Sequence, residues 1–362
     1  MRICIIAGTY SLSGVPLAQL KLAKSLSKLG HSVELIYGDV TIGNVLPKSS
    51  SFTIKSFFKR RVSRMLFNFS KTFKQNKFDI IFSAGDHLNI IVLIASILAR
   101  SRAKISCSSR VTPFDVYSNN FFSKGFYMKI LMKLLMNRAD VLSCVSKDMV
   151  TQYHQVLGSK KHVCIYNIVK DSESYSLLNE KVDDKWLIEK KEPVIIAAGM
   201  LEKWKGFEDL ILAFNMLLKE RKAKLIILGD GKLYNKLLNL VHDLNIHEHV
   251  LFKGYVQNSL KYFSKADIFA LSSHVEGMPN VLIEAMMAGC TPVATDCQTG
   301  PREILQNGTY GYLVKVQDPQ SMYQGLLKAL KNPISKEKLN EVVELFSEKK
   351  IIKKHFEYLK IK

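Results

Sequence analysis

The sequence predicts an α/β protein of two doubly wound, Rossmann-like domains. Three observations carry this expectation. Short apolar runs alternate with amphipathic helical stretches along the chain. The alternation is interrupted once, by a polar stretch at 170–191. The 362 residues, 47% hydrophobic and 23% charged, suffice for two globular domains of ordinary size.

In the first domain, 1–170, "RICIIAG" reads as a strand ending in Gly8 and "VPLAQLKLAKSLSKLG" as an amphipathic helix stopped by Gly30. "HSVELIYG", "FDIIFSAG" and "AKISCSS" read as further strands, the last two separated by the apolar helix "LNIIVLIASILAR". "ADVLSCVS" and "KHVCIYN" add two more. The polar stretch "KDSESYSLLNEKVDDKWLIEKK" reads as the linker. In the second domain, 171–345, the strand "PVIIAAGML" is followed by the helix "FEDLILAFNMLLKE", then by "AKLIILGDG", a strand closing on a Gly-Asp-Gly turn. The helix "YNKLLNLVHDLNI", the strand "VLFKGYV", the short helix "SLKYFSKA" and the strands "DIFALSS" and "TPVATD" complete the plan. The remainder, 346–362, is set apart as a basic helical tail. Two such domains are expected to leave a cleft at the carboxyl ends of their sheets, where open α/β folds bind ligands.

Composition narrows the function. The six cysteines, Cys4, Cys107, Cys144, Cys164, Cys290 and Cys297, are scattered without a CxxC pair and read as reduced core residues of a cytosolic protein. The apolar run at the N-terminus is too short for a secretory signal, and "LNIIVLIASILA" is about half of a membrane-spanning helix. Charge is uneven: residues 1–170 hold 25 Lys and Arg against 7 Asp and Glu, the rest 27 against 25. A strongly basic half attracts nucleic acid, anionic lipid or phosphorylated substrates.

The stretch with most chemistry is "HVEGMPNVLIEAMMAG", 274–289. Proline tolerates the first helical position and glycine ends helices, so a helix is expected from near Pro279 to Gly289. Glu284 then lies about 6–7 Å inside it, at about 1.5 Å per residue, and Glu276 faces its start from the preceding loop. Free N–H groups and about half a positive charge at a helix start suit a phosphate or a hydroxyl-rich ligand. The plain alternative is a surface helix whose acids are merely solvated.

Other candidates are weaker alone. Gly14 sits in the first strand-to-helix turn, without the GxGxxG pattern of dinucleotide sites. Lys203 and Lys205, between Gly199 and Gly206, can meet a phosphate as point charges or be simply solvated. Tyr255, closing a strand, lines a base pocket or is an ordinary loop tyrosine. No DxD pair and no zinc spacing occur, so no metal site and no cofactor are expected.

Together, "AAGMLEKWKGF", "LIILGDGKL", "VLFKGYV", "ADIFALSSHVEGMPNVLIEAMMAGCTPVATDCQTGPREIL" and "YGYLV" stand in the order found in glycosyltransferase family 4. The chain resembles that family strongly over 190–330 and weakly in the first domain, and most of all its bacterial surface-polysaccharide branch. The resemblance implies the GT-B fold, two Rossmann-like domains facing across a cleft. It also implies transfer of a sugar, with retention of configuration, from a nucleotide-sugar such as a uridine diphosphate sugar. The acceptor it implies is a hydroxyl of a lipid-linked or surface glycan. Glu284 would bond the ribose, Glu276 the donor sugar, and the backbone around Gly277, Met278, Asn280 and Val281 the sugar and diphosphate. Lys205 would stabilise the leaving diphosphate, which removes the need for a metal. Two positions depart from the family. Met200 stands where an arginine is usual, with Lys203 nearby as a substitute. Arg110 stands where a histidine near the reacting centre is usual, with Asp86 and His87 on the neighbouring strand. These departures keep open a GT-B nucleotide-sugar epimerase and a catalytically silent binding protein.

The basic half contains two mixed basic and aromatic stretches, 52–77 and 119–138. Such mixtures suit an anionic membrane surface, or a core-facing helix with solvated charges. No nucleic-acid-binding module accompanies the charge. The expected location is cytoplasmic, peripheral on the inner face of the cell membrane.

Overall fold

The structure is a computed structural model that describes residues 1–11, 14–41, 45–58 and 62–361. Lys59, Arg60 and Arg61 of the first basic stretch lie outside these residues, as does part of the turn before Gly14. The chain forms two compact units, Met1–Ile168 with Glu348–Lys362, and Val169–Ser347.

The first unit holds strands β1 (Arg2–Tyr10), β2 (Ser32–Val40), β3 (Thr53–Ser56), β4 (Ile80–Ala84), β5 (Lys104–Ser109), β6 (Val141–Cys144) and β7 (His162–Cys164). They lie in the order β3-β2-β1-β4-β5-β6-β7, with every neighbouring pair parallel. The second holds β8 (Val194–Ala198), β9 (Lys224–Leu228), β10 (Val250–Gly254), β11 (Ile268–Leu271), β12 (Thr291–Thr295) and β13 (Tyr312–Val314). Their order is β10-β9-β8-β11-β12-β13, again all parallel. Both are doubly wound sheets with the dinucleotide-fold strand order. Parallel sheets are covered on both faces, which is why their central strands are continuous apolar runs. Ile3, Cys4, Ile5 and Ile6 in β1, and Val194, Ile195 and Ile196 in β8, are fully buried.

Two strands escape the sequence reading: β3, whose "TIKS" holds a single apolar residue, and β13, whose three apolar residues are bounded at once by Gly311 and Lys315. The stretch 170–191, read as linker, folds into two short helices, Ser172–Leu178 and Lys185–Ile188. Asp171 and Asp184 cap them, and Leu178 and Leu187 anchor them. All six cysteines are free, and all but Cys164 are buried. Among the described residues no helix is long and apolar enough to cross a membrane.

The sequence reading set 346–362 apart from both domains. In the structure the helix Glu348–Leu359 belongs to the first unit. Its buried face carries Ile351, Ile352, His355 and Leu359. Phe356 lies edge-on to His31, and the Lys104 ammonium donates to the Leu359 carbonyl at 2.5 Å, a cation at a helix C-terminus. Where the chain enters the second unit, Val169 and Lys170 both donate backbone N–H groups to the Phe346 carbonyl, at 3.0 and 3.2 Å.

His355 is buried with its ring edge-on to Phe82 at 5.2 Å. Burial, reinforced by the Arg110 guanidinium, pushes its imidazole down to about 3. Its unfolded value is about 6.5, so this side chain supports the fold above that pH and loses the support as pH falls toward 3. Acidification from about pH 7 to about 4.5 should cost on the order of 2 kcal/mol through His355. His355→Leu should flatten the pH dependence of the thermal midpoint over that interval. Some dependence should persist, because buried His162 is pushed down to about 4 and acts in the same direction.

Candidate active site

The second sheet reverses its winding between β8 and β11: from β8 the chain steps outward to β9 and β10, then crosses back to β11. Crossovers leaving such a point run to opposite sides, so the carboxyl ends of β8 and β11 border a crevice. After β8 the chain makes a loop and a single 3₁₀ turn, Lys203–Lys205, closed by Gly206. Gly206 has φ +64°, and a Cβ there would lie 2.1 Å from the Ser272 carbonyl oxygen. Only glycine permits both the left-handed turn and this approach. The helix Phe207–Leu218 follows, with Glu208 and Asp209 in the first turn, where the dipole favours acids.

Three hydrogen bonds stitch the residues leaving β11 to this turn and to the helix after it. The Ser272 hydroxyl donates to the Lys205 carbonyl at 2.8 Å, and the His274 amide to the Trp204 carbonyl at 2.7 Å. The His274 Nε2 lies 2.7 Å from Asp209 Oδ2. The next loop is held from the other side. The Glu276 amide donates to the Gln298 carbonyl at 2.8 Å, the Thr299 amide to the Glu276 carbonyl at 2.7 Å, and the Thr299 hydroxyl to the Gly277 carbonyl at 2.6 Å.

These restraints bring Lys205 Nζ to 2.5 Å from Glu276 Oε1, and the Ser273 hydroxyl donates to the same oxygen at 2.6 Å. The side chains are 18% and 11% exposed, so this is not a solvated surface pair. The helix Asn280–Ala288 starts four residues later, with Pro279 as N-cap, and ends at Gly289 in the left-handed region. Proline thus stands one position earlier than the sequence reading put it. Glu284 lies one turn inside, half-buried; Met278 is buried and Val281 half-buried. The geometry therefore unites Lys205, Glu276, the 277–281 backbone and Glu284 in one short region. A cation, a carboxylate and a helix start together suit a ligand with anionic and hydroxyl groups.

Lys203 and Met200 are exposed on the β8 loop. Tyr255 is exposed beyond the edge strand β10, two strands from β8. Gly14 begins the helix Gly14–Lys28, and a Cβ there would meet nothing within 4 Å among the described residues. Arg110 turns into its own domain and donates to the Asn167 side chain; burial pushes its guanidinium down to about 10. His87 is exposed. Asp86 is buried and accepts from the hydroxyls of Ser109, Tyr117 and Tyr153, each at 2.9 Å. Burial raises its carboxyl despite these bonds, which pull the other way. Sequence reasoning missed Ser273, Thr299 and the His274–Asp209 pair, whose partners are 3, 22 or 23, and 65 residues away.

Two doubly wound domains of like strand order, the second with this constellation at its reversal point, define a GT-B glycosyltransferase. The chain belongs to glycosyltransferase family 4: the model of that family matches residues 13–173, and the model of glycosyl transferases group 1 matches 179–344. Over 279 residues, 75% of this chain and 73% of the other, it is 33% identical to the N-acetylgalactosamine-N,N'-diacetylbacillosaminyl-diphospho-undecaprenol 4-alpha-N-acetylgalactosaminyltransferase of Campylobacter jejuni. It is 26% identical over 302 residues, 82% of this chain and 80% of the other, to the O-antigen biosynthesis glycosyltransferase WclY of Escherichia coli. The crystal structure of Anabaena HepE in complex with UDP superposes with a TM-score of 0.79 at 18% identity, covering 99% of this chain and 100% of that one. The protein is a glycosyl-transferring enzyme.

Gly206→Ala tests the packing of the Lys205 turn. Left-handed strain and the clash with Ser272 should destabilise the protein by on the order of 2 kcal/mol or more. Thermal unfolding reads this directly. A midpoint equal to that of the wild type would mean that the turn does not depend on this approach.

Proposed function

We propose that the protein transfers a sugar, with retention of configuration, from a uridine diphosphate sugar to a hydroxyl of a lipid-linked glycan in bacterial surface-polysaccharide assembly. The observation that carries this reading is the meeting of Lys205 and Glu276 at the start of the Asn280–Ala288 helix. First-turn amides of a helix lack intrahelical partners, and a diphosphate at this start would be held by the backbone of Gly277, Met278, Asn280 and Val281. Glu284 would accept from the ribose hydroxyls and Glu276 from those of the sugar. Glu276 pairs with Lys205 in the structure. As the bond from C1 to the phosphate oxygen breaks, negative charge grows on that oxygen and Lys205 neutralises it. The acceptor oxygen bonds to C1 on the same face, and its proton passes to the departing phosphate. Exposed Lys203 supplies a second positive charge, and lysines with amides make a divalent cation unnecessary.

The donor choice is supported by the UDP bound to Anabaena HepE, and the acceptor by the diphospho-undecaprenol in the name of the Campylobacter relative. WclY supports a place in O-antigen assembly. Incubation with donor alone and with donor plus a diphospholipid-linked glycan tests the reading. Product should require the acceptor; isomerised donor without acceptor would identify an epimerase, and no product of either kind a silent binder.

Lys205→Ala should lower turnover about a hundredfold or more at saturating donor, as loss of a transition-state donor does, while wild-type turnover should persist in excess chelator. Near-normal turnover in the variant, or strict dependence on a divalent metal, would remove the lysine from this role. Glu284→Ala should weaken UDP binding by about 1.5–3 kcal/mol, the range for hydrogen bonds to a charged group. Calorimetry showing unchanged affinity would place the ribose elsewhere.

A further inference from the structure

Glycine at 206 makes a hinge beside Lys205. The turn Lys203–Lys205 holds itself by two backbone bonds, the Lys205 amide on the Glu202 carbonyl at 3.0 Å and the Gly206 amide on the Lys203 carbonyl at 3.2 Å. Turns of this 3₁₀ kind have poor hydrogen-bond geometry. Gly206, in the left-handed region, then joins the turn to the helix Phe207–Leu218. The lysine ammonium stands on a flexible four-carbon stem. Where it sits therefore depends on what fixes the backbone on both sides of the hinge.

One residue reaches both sides. The His274 amide donates to the Trp204 carbonyl, before the hinge, at 2.7 Å. Its ring Nε2 lies 2.7 Å from Asp209 Oδ2, after the hinge; a carboxylate only accepts, so Nε2 carries the hydrogen. The imidazole lies over the hinge itself, because a Cβ on Gly206 would stand 3.0 Å from Nε2. The two side chains are 21 and 22% exposed. The other acid of that first helical turn, Glu208, is bonded to the Lys236 ammonium at 2.8 Å, which leaves Asp209 to the imidazole. His274 also stands two residues before Glu276 in the chain, so the same clamp ties the lysine turn to the loop that carries the carboxylate.

We infer that His274 is a positioning residue for Lys205: by gripping Trp204 and Asp209 together it closes the Gly206 hinge and fixes where the lysine ammonium meets the diphosphate. This role rests on Lys205 as the partner of the diphosphate, proposed above. The imidazole touches neither donor nor acceptor and acts through the lysine alone.

Calorimetric titration with UDP tests this without an identified sugar or acceptor, because UDP carries the charge that the leaving group acquires. Lys205→Ala should weaken UDP binding about tenfold or more, as loss of a hydrogen bond to a charged group does. His274→Leu, which keeps bulk and loses the donor, should weaken it about fivefold or more. Asp209→Ala, which removes the other end of the bond, should do the same. His274→Gln, whose amide can still donate to Asp209, should recover most of the loss. In the Lys205→Ala background, His274→Leu and Asp209→Ala should weaken UDP binding no further, since residues that act through one contact are not additive. The positioning role is overturned by wild-type affinity in both single variants, by a glutamine variant as weak as the leucine variant, or by equal losses with and without Lys205. Unchanged affinity in Lys205→Ala itself would overturn the reading of the lysine on which the role rests.

Discussion

A parallel sheet wound in both directions from one point cannot cover the ends of the two strands that flank that point. In the second domain those strands are β8 and β11. The segment after each of them is consequently free to carry chemistry, but it is also free to be floppy unless something else holds it. The holding is done by short polar contacts between loops: Ser272 and His274 grip the Lys205 turn, and Thr299 grips the Glu276 loop. The ion pair is thus placed by its neighbours' backbone rather than by its own attraction. That matters, since taking both charges partly out of water offsets much of what their pairing contributes.

The first domain has the same reversal, between β1 and β4, and treats it in the opposite way. Asp86, at the carboxyl end of β4, is enclosed and satisfied by three hydroxyls drawn from β5 and the helical segments after it. A carboxylate so surrounded fixes the loops around it and has little capacity left for a ligand. Arg110 likewise turns to Asn167. One reversal point is locked by its own hydrogen bonds, and the other carries a lysine and a glutamate paired with each other.

The readable part of this architecture was what local pattern specifies. Continuous apolar runs identified the central strands, and "EGMPNVLIEAMMAG" identified a helix with a proline at its start and a glycine at its end. The strands that escaped, β3 and β13, lack the apolar run that marked the others: one has a single apolar residue and the other only three, closed off by Gly311 and Lys315. Glu276 and Lys205 were identified as site residues by resemblance, but their direct contact was not foreseen, because 71 residues separate them and no local rule links a 3₁₀ turn to a distant loop. Tyr255 and Gly14 show the converse limit: Tyr255 lies just past the end of an edge strand, and Gly14 begins its helix with nothing within 4 Å of a Cβ among the described residues. Motif position finds the end of a strand; strand order decides which ends are neighbours.

The return of Glu348–Leu359 to the first domain has a consequence for synthesis. The side of that domain which receives Ile351, His355 and Phe356, including Phe82 and His31, is made early, while its cover is encoded after the entire second domain. At about 5–20 residues per second, translation leaves that side bare for roughly 10–40 s. The half of the protein that leaves the ribosome first is the half completed last, and through that interval it depends on being kept from other apolar surfaces.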